Sequence, residues 1–175
     1  MRIGIDLGTT NSAMAYMDGN DARIIPNDRG HHLTPSVVSV DEQGMVLVGE
    51  AAHNRSISHA SSTIANIKAL LGETEQVQLG SRSYSPEELS GLVLAKLKRD
   101  AERHLGHDIR DAVITVPAHF NETRRRATKD AARLAGFRQV KLLSEPTSAA
   151  LAYAHRQRSG RNILVYDLGG GTFDV

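Results

Sequence analysis

Two stretches of this chain run in nearly the same order. The first is Ile3-Gly4-Ile5-Asp6-Leu7-Gly8-Thr9-Thr10. The second is Leu164-Val165-Tyr166-Asp167-Leu168-Gly169-Gly170-Gly171-Thr172. Each has an apolar run that reads as a short buried strand, then Asp-Leu-Gly, then a turn rich in glycine and threonine. A glycine has no Cβ to keep a ligand away from the backbone. Several N–H groups pointing one way make a nest for an anion. Threonine hydroxyls add donors, and an aspartate at a strand end can hold Mg²⁺, directly or through water. The copies lie too far apart for a stacked repeat and suit two facing halves of one site, a clamp on a triphosphate. Alone, the first also reads as a plain hairpin turn. The second carries three consecutive glycines, whose backbone entropy weakens a fold unless something needs them. Neither a G-x-x-x-x-G-K-[ST] loop nor a G-x-G-x-x-G fingerprint occurs, so a nucleotide would need another cradle.

The pattern around these stretches is strand-rich at first and then alternates. Residues 2–7, 12–17 and 22–26 read as a β-meander turning at Asp18-Gly19-Asn20. A polar loop over 27–35 leads to strands near 36–40 and 45–48. Helices are expected over 50–60 and 63–71, the second closed by Gly72, and a small hairpin over 73–84. Ser85-Pro86-Glu87-Glu88 is a helix start with a capping serine, proline at the first helical position and Glu88 completing a capping box. Leu89, Val93, Leu97, Ala101 and Leu105 then recur every four residues, and Gly106 ends the helix. Strands over 112–116, 139–143 and 162–167 alternate with helices from Asn121 to Ala135 and from Glu145 to about Gln157. The order predicts α/β architecture on a mixed sheet.

The 175 residues suit one domain or one lobe of a larger one. At 40% hydrophobic and 23% charged, the composition is that of a soluble globular chain. A net charge of +1 invites neither nucleic acid nor an anionic membrane. The absence of cysteine excludes disulfides and thiol catalysis and fits a reducing compartment. No apolar run is long enough to span a membrane, and the first residues do not read as a signal peptide, so a cytoplasmic location is the default expectation. The end at Val175, in what reads as the outgoing strand of a hairpin, is expected to be a truncation. The eight histidines show no metal-ligand spacing and are expected at the surface.

Taken together, the motifs resemble the seventy-kilodalton heat-shock (DnaK-type) chaperone family. Ile3–Ser12 is similar to its first phosphate motif and Asp167–Asp174 to its second. Val113–Asn121 and Ala127–Ala131 are similar to the segment that connects them, and Glu145-Pro146-Thr147 with Ala149–Tyr153 completes the series, in order, over nearly the whole chain. The resemblance implies the actin-like ATPase fold (a ribonuclease-H-like mixed sheet) with only its first lobe present. Residues 1–35 and 86–160 would form the core subdomain, 36–85 a small α+β insertion and 161–175 the truncated start of the second lobe.

The resemblance also implies roles. Asp6 and Asp167 would hold a Mg²⁺–phosphate cluster, mainly through water. Gly8, Thr9, Thr10 and Asn11 would form one phosphate loop, and Gly169, Gly170, Gly171 and Thr172 the other, with Thr172 near the γ-phosphate. Lys68 matches the catalytic lysine and Glu145 the catalytic-site glutamate. Without the family, Lys68 reads as a solvated helix residue and Glu145 as a helix-start acid favoured by the dipole. Pro117 and Arg125 match a pair that relays the nucleotide state to a peptide-binding domain. Two of the three arginines at 124–126 otherwise read as a solvated face. The parent would hydrolyse ATP to ADP and phosphate with Mg²⁺ and K⁺. It would act on client polypeptides through a C-terminal domain absent here and work with a J-domain co-chaperone. The isolated lobe is expected to bind ATP weakly. A metabolite (sugar) kinase and a filament-forming actin-like protein share the fold and are the alternatives.

The chain departs from the family pattern in three places. Its short stretch between Gly72 and Ser85 resembles the HscC-like branch. His32 stands where arginine is usual, and His119 where tyrosine is.

Overall fold

The computed structural model describes residues 1–156, 162–171 and 173–174. Ile3 and Ile5 are buried while Arg2, Gly4 and Asp6 are not, the period-two burial of a strand with one face on a core. This strand, β1 (Arg2–Asp6), pairs antiparallel with β2 (Asn11–Asp18), which pairs antiparallel with β3 (Asp21–Ile25). The short β4 (Thr34–Pro35) joins β2 near its start.

The insertion follows. β5 (Val38–Val40) is flanked by β6 (Val46–Val48) and β7 (Thr63–Ile64), with α1 (Glu50–His53) between them in sequence. Next come α2 (Ile67–Leu70) and a hairpin of β8 (Val77–Leu79) and β9 (Arg82–Tyr84).

The chain then returns to the main sheet through α3 (Pro86–Leu105), β10 (Asp111–Val116), α4 (Glu122–Leu134), β11 (Gln139–Ser144) and α5 (Glu145–Arg156). β10 lies parallel to β1 and β11 parallel to β10, giving a main-sheet order of β11-β10-β1-β2-β3. A last pair, β12 (Asp167–Leu168) with β13 (Phe173–Asp174), is antiparallel. The mixed sheet agrees with the expected actin-like ATPase lobe.

Register explains the core. Ile5 sits opposite Met14 on one side and Ile114 on the other, and all three are buried. Leu89, Val93, Leu94, Leu97 and Ala101 of α3 pack on this face, with Ala131 and Ala132 of α4. The long helix is fixed where the sequence predicts it. Ser85 Oγ accepts from Glu88 N at 3.1 Å, Glu88 Oε2 accepts from Ser85 N at 2.8 Å, and Gly106 closes it in the left-handed conformation. Asn121 caps α4 by accepting from Arg124 N at 3.0 Å.

Because β1, β10 and β11 are parallel, their carboxyl ends share one edge of the sheet. Asp6, Thr115 and the Ser144–Glu145 junction therefore meet there. Loops at the carboxyl ends of parallel strands are where such sheets bind ligands.

The structure corrects three expected elements. The helix over 50–60 stops at His53 and gives way to turns and a 3-10 turn at Ala60–Ser62, because the Asn54–Ser58 stretch has a single large apolar residue, Ile57, which stays exposed, and so offers no apolar stripe to bury. The helix over 63–71 is a single turn. β-branched Thr63 and Ile64 pair with β5 instead, and Asn66 takes φ +55 before Ile67. The strand over 162–167 is regular only at Asp167–Leu168, with 162–166 outside any regular element. The histidines lie exposed except half-buried His59, which meets Glu42 at 3.0 Å.

Candidate phosphate-binding site

At the carboxyl edge of β1 the backbone folds back on itself. A Cβ at Gly8 would lie 2.0 Å from the Asn11 carbonyl oxygen, so the turn closes only with glycine there. The turn is pinned from behind. Ser36 Oγ donates to the Gly8 carbonyl at 2.8 Å and lies 2.9 Å from Ser12 Oγ, and Ser36 N donates to the Thr10 carbonyl at 2.8 Å. Ser12 and Ser36 are both buried, so these bonds work away from competing water. Neither serine stands out in the sequence, since the contacts that give them a role span 24 and 28 residues.

The second glycine turn comes against the first. A Cβ at Gly170 would lie 2.0 Å from Thr10 Oγ1, and one at Gly171 2.9 Å from Thr9 Cγ2. The two halves of the sequence repeat thus face each other at contact distance.

Between them is a cavity of about 210 Å³, lined by Asp6, Gly8, Thr9, Thr10, Asn11, Lys68, Glu145, Asp167, Gly169 and Gly170. Of the residues expected in the site, Gly171 reaches it only through Thr9, and Thr172 lies outside the described residues. Pro117 and Arg125 stand apart from the lining. They are joined through Phe120, whose N–H donates to the Pro117 carbonyl at 3.2 Å and whose carbonyl accepts from Arg125 Nε at 3.0 Å.

Lys68 is not a solvated lysine. It is 5% exposed, carried on α2 between buried Ile67 and Leu71, and its Nζ donates to Glu145 Oε1 at 2.5 Å. Glu145 is brought there by the end of β11. Burial pushes its carboxyl above the ordinary range. The Lys68 ammonium opposes that by charge and hydrogen bond, and the carboxylates of Asp6 and Asp167 add to the rise. Asp6 Oδ1 accepts from Thr115 Oγ1 at 2.8 Å, a second-layer contact that the sequence did not single out.

Residues 2–175 match the family model described as Hsp70 protein. The chain belongs to the Hsp70 family. Two relatives named Chaperone protein DnaK, from Halobacterium salinarum strains R1 and NRC-1, are each 51% identical to this Hsp70 chain over 174 residues. The match takes in 99% of the chain, which spans 28% of the length of those relatives. Among the described residues of this Hsp70 chain, no helix is long and apolar enough to cross a membrane.

The basic triplet of the Hsp70 chain divides by contact. Arg126 is exposed, as a solvated face requires. Arg125 holds the Phe120 carbonyl, and Arg124 lies over the Phe120 ring at 5.3 Å from its centroid. Only one of the three, rather than two, fits the solvated reading.

Proposed function

We propose that this lobe contributes the phosphate side of an ATP site, and that the parent protein hydrolyses ATP to ADP and phosphate to drive the binding and release of client polypeptides. The observation that carries the reading is the buried Lys68–Glu145 pair, set in a cavity walled by two glycine–threonine turns. The Gly8–Asn11 and Gly169–Gly171 turns would present N–H and hydroxyl donors to the β- and γ-phosphates. Lys68 would offset charge on the transferring phosphoryl group and orient the attacking water. Glu145 would hold Lys68 in line and accept a hydrogen bond from that water. Catalysis of this kind is positioning and electrostatics.

The lining has three carboxylates against one ammonium. A triphosphate entering it would meet net negative charge, so a cation must accompany it. Asp6 and Asp167 supply the hard oxygen donors that suit Mg²⁺, which keeps several waters and bridges phosphates. When bound, Mg²⁺ would neutralise phosphate charge, and K⁺ would add to that. Thr172, next in sequence to the glycine turn, would lie near the γ-phosphate.

Pro117 and Arg125, tied through Phe120, would relay the state of the site toward a client-binding domain, with a J-domain co-chaperone as partner and the cytoplasm as the place of action. We take 1–35 with 86–160 as core, 36–85 as insertion and 161–175 as the start of a second lobe. The short β8–β9 hairpin supports the HscC-like branch. Equilibrium binding of ATP to the parent, extended through its second lobe, tests the reading. Binding that needs Mg²⁺ supports it, and no binding with or without Mg²⁺ contradicts it. ADP formation that requires a sugar and yields a phosphorylated sugar would instead point to the kinase alternative.

A further inference from the structure

The turn that carries Lys68 has little to hold it from within. α2 is four residues long, its N-cap makes no side-chain hydrogen bond, and that N-cap is Asn66 at φ +55, the one non-glycine residue of positive φ among the described residues. An isolated turn of this length does not form on its own account. Leu71 anchors one side in a small cluster with Val116, Phe120 and Ala127. The other side is held by Arg124. Its Nη2 donates to the Ala69 carbonyl and to Glu73 Oε1, each at 3.3 Å, with the guanidinium over the Phe120 ring. The chain leaves α2 at Gly72, φ +84, where a Cβ would lie 3.1 Å from Arg124 Cγ. Contacts from two directions thus close on one side chain.

We propose that Arg124 is a positioning residue for Lys68: it bolts the α2 turn to the start of α4 and so fixes the ammonium against Glu145. Arg124 does not line the cavity, so its effect passes through the backbone of Ala69, next in sequence to Lys68. That the placement of Lys68 governs hydrolysis rests on the function proposed above; that Arg124 sets the placement does not.

The test uses the full-length parent with Arg124→Ala and Arg124→Lys. Lysines are acetylated with acetic anhydride and the rate at each is read by peptide mass mapping. Lys96, whose side chain is 13% exposed and paired with Asp28 and Asp100, is the internal reference. Loss of the bolt should raise acetylation of Lys68 by about tenfold relative to Lys96 in Arg124→Ala, as local opening does. The lysine variant, which keeps the charge but offers one small donor head in place of a planar fork, should fall between. Single-turnover hydrolysis should drop in the same order, with ATP affinity changed by less than about twofold. Unchanged protection of Lys68, or Lys68 and Lys96 rising together, overturns the proposal. If the parent fails to hydrolyse ATP at all, the functional reading falls, while the Lys68-to-Lys96 ratio still decides the role of Arg124.

Discussion

Lys68 Nζ and Glu145 Oε1 lie 2.5 Å apart across 77 residues of sequence, both groups nearly sealed from solvent. A buried pair of this kind adds little net stability when intact, but removing one member strands the other charge. Lys68→Met, which keeps the volume and drops the charge, should cost about 3–5 kcal/mol at neutral pH. The loss should shrink in acid, where Glu145 can take up a proton. Urea unfolding at several pH values measures it.

Glu145 sets a pH dependence of its own. In the unfolded chain its carboxyl titrates at the ordinary value of 4.5, and burial raises it in the folded protein. Between the two values the folded form binds more protons, so this group's contribution to stability is full below pH 4.5 and fades as pH rises through the folded value. The stability of the native chain minus that of Glu145→Gln should therefore fall with rising pH and then level off. A difference that grows with pH would contradict the assignment.

Gly8 and Gly170 should fail differently. Gly8→Ala drives a methyl into the Asn11 carbonyl within one turn, a backbone clash with nowhere to move, and should destabilise by about 2 kcal/mol or more. Gly170 is exposed, and its Cβ would meet a threonine hydroxyl of the other turn. Gly170→Ala should leave stability within about 0.5 kcal/mol and weaken ATP binding by about tenfold, the two turns being wedged apart. Calorimetric titration beside thermal unfolding separates the two.

Ser36→Ala removes one hydroxyl from a buried chain of three groups, leaving the Gly8 carbonyl without that donor and Ser12 Oγ without its neighbour. The expected cost is about 1–3 kcal/mol, with weaker ATP binding because the first turn loses its backing. Ser85→Ala offers the contrast. It should cost about 1 kcal/mol through the lost cap and leave ATP affinity unchanged, the capping box being remote from the cavity lining.

Local chemistry made much of this legible in sequence. Ser85, Gly106 and Asn121 fix helix ends with bonds a few residues long, so their positions follow from residue type. The paired Asp-Leu-Gly turns could be read because the same need for close backbone approach recurs at Asp6 and Asp167. Lys68 was legible only by resemblance, since on pattern alone it reads as solvated. Its burial depends on β7 pairing, on the φ of Asn66 and on a partner far along the chain. Ser36, Thr115 and Arg124 escaped for the same reason, because each acts through a long-range contact that no local pattern encodes. The expected helix over 63–71 failed where strand pairing to β5 overrode helical spacing.

Whether this lobe presents a lysine to a phosphoryl group is decided by ATP turnover of the parent protein with and without Lys68→Ala. Slow Mg²⁺-dependent hydrolysis is expected, falling by about a hundredfold or more in the variant, with ATP still bound. Turnover unaffected by the substitution would return Lys68 to a structural role and exclude it from the chemistry.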